Sequence, residues 1–267
     1  MTRDVARSYL YVPGNRPDRF DKACAAGADA VIIDLEDAVP PAEKAIARAA
    51  LTAWLSPAKA VIVRINGADT EWFEQDLEAC DTAGVVGVVL PKAAQIDDVV
   101  VALCRRRAAV LLPIIETAAG MAQARAVAAT ACVQRLMFGT IDFQLELDID
   151  GDGDELLAFR SELVLASRLA GVQSPVDGPC TSWEDIELLT ADARRARRLG
   201  FGGKLCIHPK QIAPVNAAFS PSEPELAWAH KVLEAAERSK GAAVAVDGKM
   251  IDRPVILKAE RIVRKSK

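Results

Sequence analysis

Short apolar runs recur along the chain: SYLYV (8–12), AVIIDL (30–35), AVIVRI (60–65), GVVLP (87–91), VLLPII (110–115), RLMFG (135–139), PVDG (175–178) and GKLCI (203–207). Most are rich in β-branched residues and apolar on both parities, the pattern of strands covered on both faces. Helical periodicity fills the intervals, over 16–26, 41–55, 70–82, 95–107, 118–131, 155–170, 182–199 and 223–240. Pro40 and Pro41 stand where a helix begins, a place that tolerates proline. Gly27, Gly84, Gly171 and Gly200 stand where helices stop, the usual left-handed cap. Eight βα units in this order predict an α/β fold, a (β/α)8 TIM barrel. An open doubly wound sheet is the alternative. Its phosphate-binding GxGxxG turn is missing, because the first turn reads PGNRPDR.

The repeat accounts for residues 1–240 as one barrel domain and leaves 241–267 as a C-terminal tail. Asp247–Gly248 signals a turn there, and 254–264 is helical in pattern. Such a tail can cover a barrel mouth or pack on a neighbouring subunit. With 51% hydrophobic and 26% charged residues, the chain is not of the disordered class. No apolar run reaches the ~18 residues of a membrane span, and MTRDVARSYLYVPGN has no secretory h-region and cleavage site. The net charge of −4 and 5% aromatic content argue against a nucleic-acid partner. The cysteines, at 24, 80, 104, 132, 180 and 206, form no CxxC, and there are only two histidines. Zinc is therefore not expected, and a reducing, cytoplasmic setting is. DIDGDGD (148–154) looks like a calcium-loop opening, but the twelfth position is Phe159 rather than glutamate. It is read as an acidic loop.

In a barrel of this class, chemistry gathers at the C-terminal strand ends. Those ends carry Asp34, Glu36 and Asp37 after strand two, Arg64 and Asn66 after strand three, and Lys92 after strand four. Glu116, Asp142, Asp177 and His208 follow strands five to eight. The set is either an active site or a ring of salt bridges closing the barrel. Glu116 and Asp142 are expected at the ends of adjacent strands, ~4.8 Å apart. Two carboxylates there can share a hard cation such as Mg²⁺ and leave room for water and substrate oxygens. Arg64 can grip a carboxylate bidentately or stabilise an oxyanion. The 35–41 turn opens a helix, so its backbone N–H groups favour an anion. Arg16, Arg19 and Lys22 could pair with phosphates or form a solvated helix face. Lys92 is a catalytic-side group or a salt-bridge partner. His208 lines the mouth or orders strand eight, and His230 belongs to a surface helix.

Nine stretches carry a resemblance: YVPGNRPDRFDKA (11–23), GADAVIIDLEDAV (27–39), VRING (63–67), VVLPKA (88–93), PIIETAAG (113–120), FGTIDF (138–143), SPVDG (174–178), GKLCIHPKQI (203–212) and DGKMIDRP (247–254). Together they resemble the citrate lyase β-subunit-like family, in the HpcH/HpaI aldolase/citrate lyase superfamily, with citramalyl-CoA and malyl-CoA lyases as relatives. The resemblance implies a TIM barrel with one Mg²⁺ and a carbon–carbon lyase acting on a 3-hydroxyacyl thioester of CoA. It implies Glu116 and Asp142 as metal ligands, and Arg64, Asp37 and Asp252 as catalytic residues. Substrate contacts fall to Glu36, Asp37, Ala38 and Arg64; for CoA, the position of Arg16, Arg19 and Lys22 after strand one makes them the candidates to pair with its phosphates. Asp252 matches an aspartate that reaches a neighbouring subunit's site, so a homo-oligomer, trimer or hexamer, is implied. An acyl-carrier protein is a possible partner. The chain departs from the family after Asp142, where FQLELDIDGDGDE is unusually acidic, a difference that bears on thioester specificity. The related pyruvate aldolases carry Glu–His where this chain has Glu36–Asp37, so a histidine-based aldolase is the less favoured alternative. An assembly-dependent citryl-carrier lyase subunit and a malate synthase- or thioesterase-like activity are the others. The motifs do not choose between glyoxylate, pyruvate and oxaloacetate.

Overall fold

The computed structural model describes residues 5–238, 244–246, 249–264 and 266. Eight parallel strands close into a barrel in sequence order: β1 (Ser8–Pro13), β2 (Ala30–Asp34), β3 (Val61–Arg64), β4 (Val85–Leu90), β5 (Val110–Ile115), β6 (Met137–Phe138), β7 (Val176–Asp177) and β8 (Gly203–Cys206). The fold expected from the apolar periodicity is therefore the one observed. The crossovers carry α1 (Phe20–Cys24), α2 (Lys44–Trp54), α3 (Phe73–Cys80), α4 (Asp98–Arg107), α5 (Ala118–Ala128), α6 (Thr140–Leu147), α7 (Leu157–Ala170) and α8 (Ile186–Leu199). Gly171 and Gly200 cap α7 and α8 at φ 72° and 108°, left-handed values that glycine adopts without a Cβ penalty.

Strand parity decides what the barrel holds. Tyr9, Ile32, Ile62, Val89, Leu112, Ile114, Met137, Val176 and Leu205 pack as its interior cluster. Counting on by two from Ile32, Ile62 and Ile114 reaches Asp34, Arg64 and Glu116. The inward parity thus turns from apolar to charged at the C-terminal end. The opposite parity faces the helices: Asp177 and Lys204 meet Arg160 of α7 and Asp192 of α8. Arg135, fully buried, reaches the carbonyls of Ala6, Ser174 and Pro175. It satisfies backbone groups at the other end of the barrel, where unpaired carbonyls would be costly.

Two local expectations are corrected. The helix expected over 16–26 is a 3-10 turn, Pro17–Arg19, followed by the short α1. Asp142 does not end a strand. The chain leaves β6 at Phe138 and enters α6 at Thr140, so Asp142 lies in that helix's first turn. A side chain at Gly139 would collide with Glu116 and Ile114, so the strand turns away there. The T-shaped contacts of Phe143 with Phe138 and Phe159, with ring centroids 5.3 and 4.8 Å apart, hold α6 to the barrel.

The chain divides into two compact units, 1–215 and 216–267; the boundary falls within α9 (Ile212–Phe219). In the second unit, α10 (Glu223–Arg238), the antiparallel pair β9 (Val244–Val246) and β10 (Lys249–Ile251), and α11 (Arg253–Arg264) follow in order. Ala229, Val232, Ile251 and Ala259 form its buried core. The turn expected at Asp247–Gly248 lies outside the described residues. Among the described residues, no helix is long and apolar enough to cross a membrane.

Candidate active site

Arg64 is the hub of the C-terminal mouth. It ends β3 directly across from Asp34 of β2. Its Nε and Nη2 donate to Asp34 Oδ1 and Oδ2 at 2.7 and 2.6 Å, a bidentate fork that fixes the guanidinium plane. The remaining nitrogen, Nη1, lies 2.8 Å from Glu36 Oε2 and 3.3 Å from Asp37 Oδ2. The Tyr11 ring lies 4.9 Å from the guanidinium carbon, within cation–π range. Burial works against the Arg64 charge, but Tyr11, Asp34 and Glu36 outweigh it and hold its pKa well above the usual value.

The acids around Arg64 are over-supplied. Asp34, Glu36, Asp37, Glu116 and Asp142 face Arg64, Lys92 and Lys44, an excess of two negative charges. Burial pushes Glu36 up to about 7 against the opposing pull of Arg64. Burial, then the Glu36 charge, pushes Glu116 up to about 8. Asp142 is raised as well, by partial burial and by Asp37. Burial is the larger cause for all three, and the neighbouring carboxylates reinforce it.

The ligand-type carboxylates are held but not neutralised. Glu116 Oε1 accepts from the Lys92 backbone N–H at 2.7 Å. Lys92 takes a left-handed φ of 49° to present it, strain of the sort kept at functional sites. The Lys92 ammonium goes to Glu36 Oε1 at 3.2 Å. The two sequence readings of Lys92 therefore meet: it is a salt-bridge partner inside the site. Glu36 raises its pKa against the effect of desolvation, so it is an ammonium and not an amine nucleophile. Among the described residues no lysine or arginine pairs with Glu116 or Asp142, and no three His, Cys, Asp or Glu side chains form a closed metal cage. Glu36 Oε2 is buried and has Arg64 Nη1 at 2.8 Å, an ion pair without an aligned hydrogen bond. Two hard-oxygen donors that lack a salt-bridge partner among the described residues fit a hard divalent cation that keeps positions open for other oxygens.

The 36–38 turn is anchored from both sides. Asp34 accepts from Glu36 N and Ala38 N at 2.9 and 3.1 Å. The anion-binding expectation for this turn therefore narrows to the N–H of Asp37, which makes no hydrogen bond among the described residues. On the carbonyl side stands Lys44, which the sequence analysis did not single out. Its Nζ donates to Leu35 O, Glu36 O and Asn66 Oδ1 at 2.7, 2.8 and 2.6 Å. The available signal was a lysine on the buried stripe of α2, with Ala47 and Leu51 at i+3 and i+7. Tyr11 was missed too, since its strand read simply as apolar.

Other candidates lie elsewhere. Arg16, Arg19 and Lys22 are exposed after β1, and Arg16 pairs with Asp18 at 3.0 Å. His208 caps the 3-10 turn Pro209–Gln211, its Nδ1 accepting from Lys210 N, and stacks on Trp183. His230 is exposed on α10. Asp252 belongs to the second unit, where Oδ1 accepts from Val255 N at the start of α11. The acidic loop is tied down by arginines: Asp152 pairs with Arg160 at 2.6 Å and Arg195 at 3.1 Å.

Comparison with known proteins agrees with this frame. The family model for HpcH/HpaI aldolase/citrate lyase matches residues 7–209. A citrate lyase subunit beta-like protein from Deinococcus radiodurans is 38% identical, with 97% of this chain and 96% of that protein covered. A (3S)-malyl-CoA thioesterase from Cereibacter sphaeroides is 37% identical, with 97% and 94% covered. The crystal structure of CitE from Mycobacterium tuberculosis, in complex with magnesium, acetoacetate and coenzyme A, superposes with a TM-score of 0.86 at 36% identity over 98% of each chain. The chain thus belongs to the HpcH/HpaI aldolase/citrate lyase family of carbon–carbon lyases.

Proposed function

We propose that the chain is a Mg²⁺-dependent lyase that cleaves a 3-hydroxyacyl thioester of CoA, of citramalyl, malyl or citryl type, into a 2-oxo acid and an acetyl thioester. The observation that carries this reading is the pair of uncompensated carboxylates, Glu116 and Asp142, beside a guanidinium whose plane Asp34 fixes. CitE of M. tuberculosis, its structural neighbour, is described with magnesium and coenzyme A, which supports the same ligands here.

Glu116 and Asp142 would hold the ion. When bound, Mg²⁺ supplies Lewis-acid polarisation to the oxygens of the oxo-acid half. The substrate carboxylate takes the Asp37 N–H and competes with Glu36 and Asp37 for Arg64 Nη1. The substrate hydroxyl gives its proton to the Asp37 carboxylate, the hydroxyl carbon becomes the carbonyl of the oxo acid, and the electrons of the broken carbon–carbon bond pass to the thioester as an enolate. Arg64 faces this redistribution with a fixed positive charge, which costs no reorganisation at the moment of reaction. Lys92 keeps Glu36 turned toward Arg64 and away from the reacting carbon. Asp252, supplied by another copy of the chain, protonates the enolate carbon. Arg16, Arg19 and Lys22 offer positive charge to the CoA phosphates. Six free thiols support residence in the reducing cytoplasm.

A second reading has its own support in the 37% identity to the (3S)-malyl-CoA thioesterase: water would release the free hydroxy acid instead. One assay separates the two. Purified chain is incubated with citramalyl-, malyl- and citryl-CoA, with and without Mg²⁺, and the acids are identified. An oxo acid released only with Mg²⁺ is the expected result. Free hydroxy acid with no oxo acid would replace the lyase reading by the thioesterase one.

A further inference from the structure

We propose that Lys44 is a positioning residue of the reaction: its ammonium clamps the end of β2 so that the 36–38 turn and Arg64 meet the acid end of the substrate in one fixed arrangement. The inference rests on the lyase reading and adds a residue that touches none of the reacting atoms.

An ammonium has three donors and no acceptor. Lys44 places them on three oxygens within 2.6–2.8 Å, and its Nζ lies 5.1 Å from the centre of the Trp72 ring. Two of those oxygens, Leu35 O and Glu36 O, belong to consecutive residues. Consecutive carbonyls of an extended strand point to opposite sides, so collecting both on one cation imposes the bend that ends β2. The third oxygen extends the clamp. Asn66 also donates to Leu35 O at 3.0 Å, and is itself held by Asp76 through its N–H and side-chain amide at 2.9 and 2.6 Å. Asp76 is paired with Arg48 at 3.0 Å. Lys44 and Arg48 are one helical turn apart on α2, so one helix fixes both ends of the relay. On the other side of the turn, Asp34 takes Glu36 N, Ala38 N and the Arg64 fork. The turn is thus gripped by a cation on its carbonyls and a carboxylate on its N–H groups. The Asp37 N–H between them is left for the substrate.

The test separates positioning from simple stability. Lys44→Met keeps the stem and removes the donors. In the condensation direction, with Mg²⁺, acetyl-CoA and pyruvate or glyoxylate, the KM for the oxo acid is expected to rise at least tenfold. The KM for acetyl-CoA stays within twofold. A loss confined to kcat, an equal rise in both KM values, or no change overturns the proposal. Should Lys44→Met not fold, Asn66→Ser is measured instead. A rise of at least threefold in the oxo-acid KM alone supports the clamp, and any other pattern overturns it. A wild-type chain inactive in every direction overturns the lyase reading only. The clamp is then decided by calorimetry of pyruvate with the Mg²⁺-loaded proteins: at least tenfold weaker binding to the variant supports it, and equal binding overturns it.

Discussion

Asp34 and Arg64 sit directly across from one another on β2 and β3 and are joined by two parallel hydrogen bonds of 2.7 and 2.6 Å. The pair spends one edge of the guanidinium on structure and leaves Nη1 facing Glu36 and Asp37. Arg64→Lys keeps a charge but loses the fork, because an ammonium is a point donor. A drop in kcat of ~10²–10³-fold is expected, the usual cost of one lost transition-state donor. Asp34→Ala leaves the buried guanidinium with Glu36 and Asp37 alone, so a loss below the ~3–5 kcal/mol of a fully broken buried pair is expected. Steady-state kinetics and urea melts of the two variants check both values.

Metal binding should release protons. Glu116 sits near 8 without a cation, and only its carboxylate form binds metal. Mg²⁺ affinity is therefore expected to climb by up to tenfold per pH unit below about 8 and to level off above it. Calorimetry in two buffers of different ionisation enthalpy measures the proton count. An affinity flat from pH 6 to 9 would sink this expectation.

The same shift has a stability consequence of opposite sign. A carboxyl whose pKa is raised on folding binds more protons in the folded chain, so stability falls as pH rises from about 4.5 to about 8. Without Mg²⁺, Glu116→Gln is expected to melt higher than the wild type at pH 8 and to lose its response to added MgCl₂. Thermal melts with and without the ion read both effects.

The buried Lys204–Asp177–Arg160 triad behaves the other way. Burial alone would raise Asp177, yet Lys204 and Arg160 hold it below the usual carboxylate range. Its contribution is present above the unfolded carboxylate pKa of ~3.9 and is lost as pH falls through the lower folded value. Lys204→Met leaves Asp177 and Asp192 short of a cation, for an expected loss of ~3–5 kcal/mol. Chemical denaturation at pH 7 measures it.

Asp252 can be tested for chemistry apart from capping. Asparagine caps helices as well as aspartate does, whereas alanine costs ~1 kcal/mol. Asp252→Asn should therefore keep α11 and the melting point but abolish turnover. Mixed oligomers of Asp252→Asn and Arg64→Lys subunits should regain activity if the residue serves a neighbouring copy. No recovery would count against a shared site.

Much of this was legible in the chain because local chemistry states it. Eight apolar runs, glycines at 171 and 200, and charged residues at the strand ends follow from backbone sterics and a period of two. Asp34, Arg64 and Glu116 could be placed at the mouth by their position at the C-terminal ends of the runs. The family motifs further named Glu116 and Asp142 together. Tertiary structure decided what spacing cannot express. Asp142 reaches the mouth from the first turn of α6, since Gly139 packs against Glu116 and turns the chain out of β6. His208 spends its Nδ1 on a cap. Lys44 is a charge on an otherwise apolar helical stripe, and it becomes meaningful only when two carbonyls of β2's end and Asn66 converge on it. Periodicity reports which face a residue occupies. Which oxygens meet a buried cation depends on contacts between segments far apart in sequence, and those exist only once the barrel has closed.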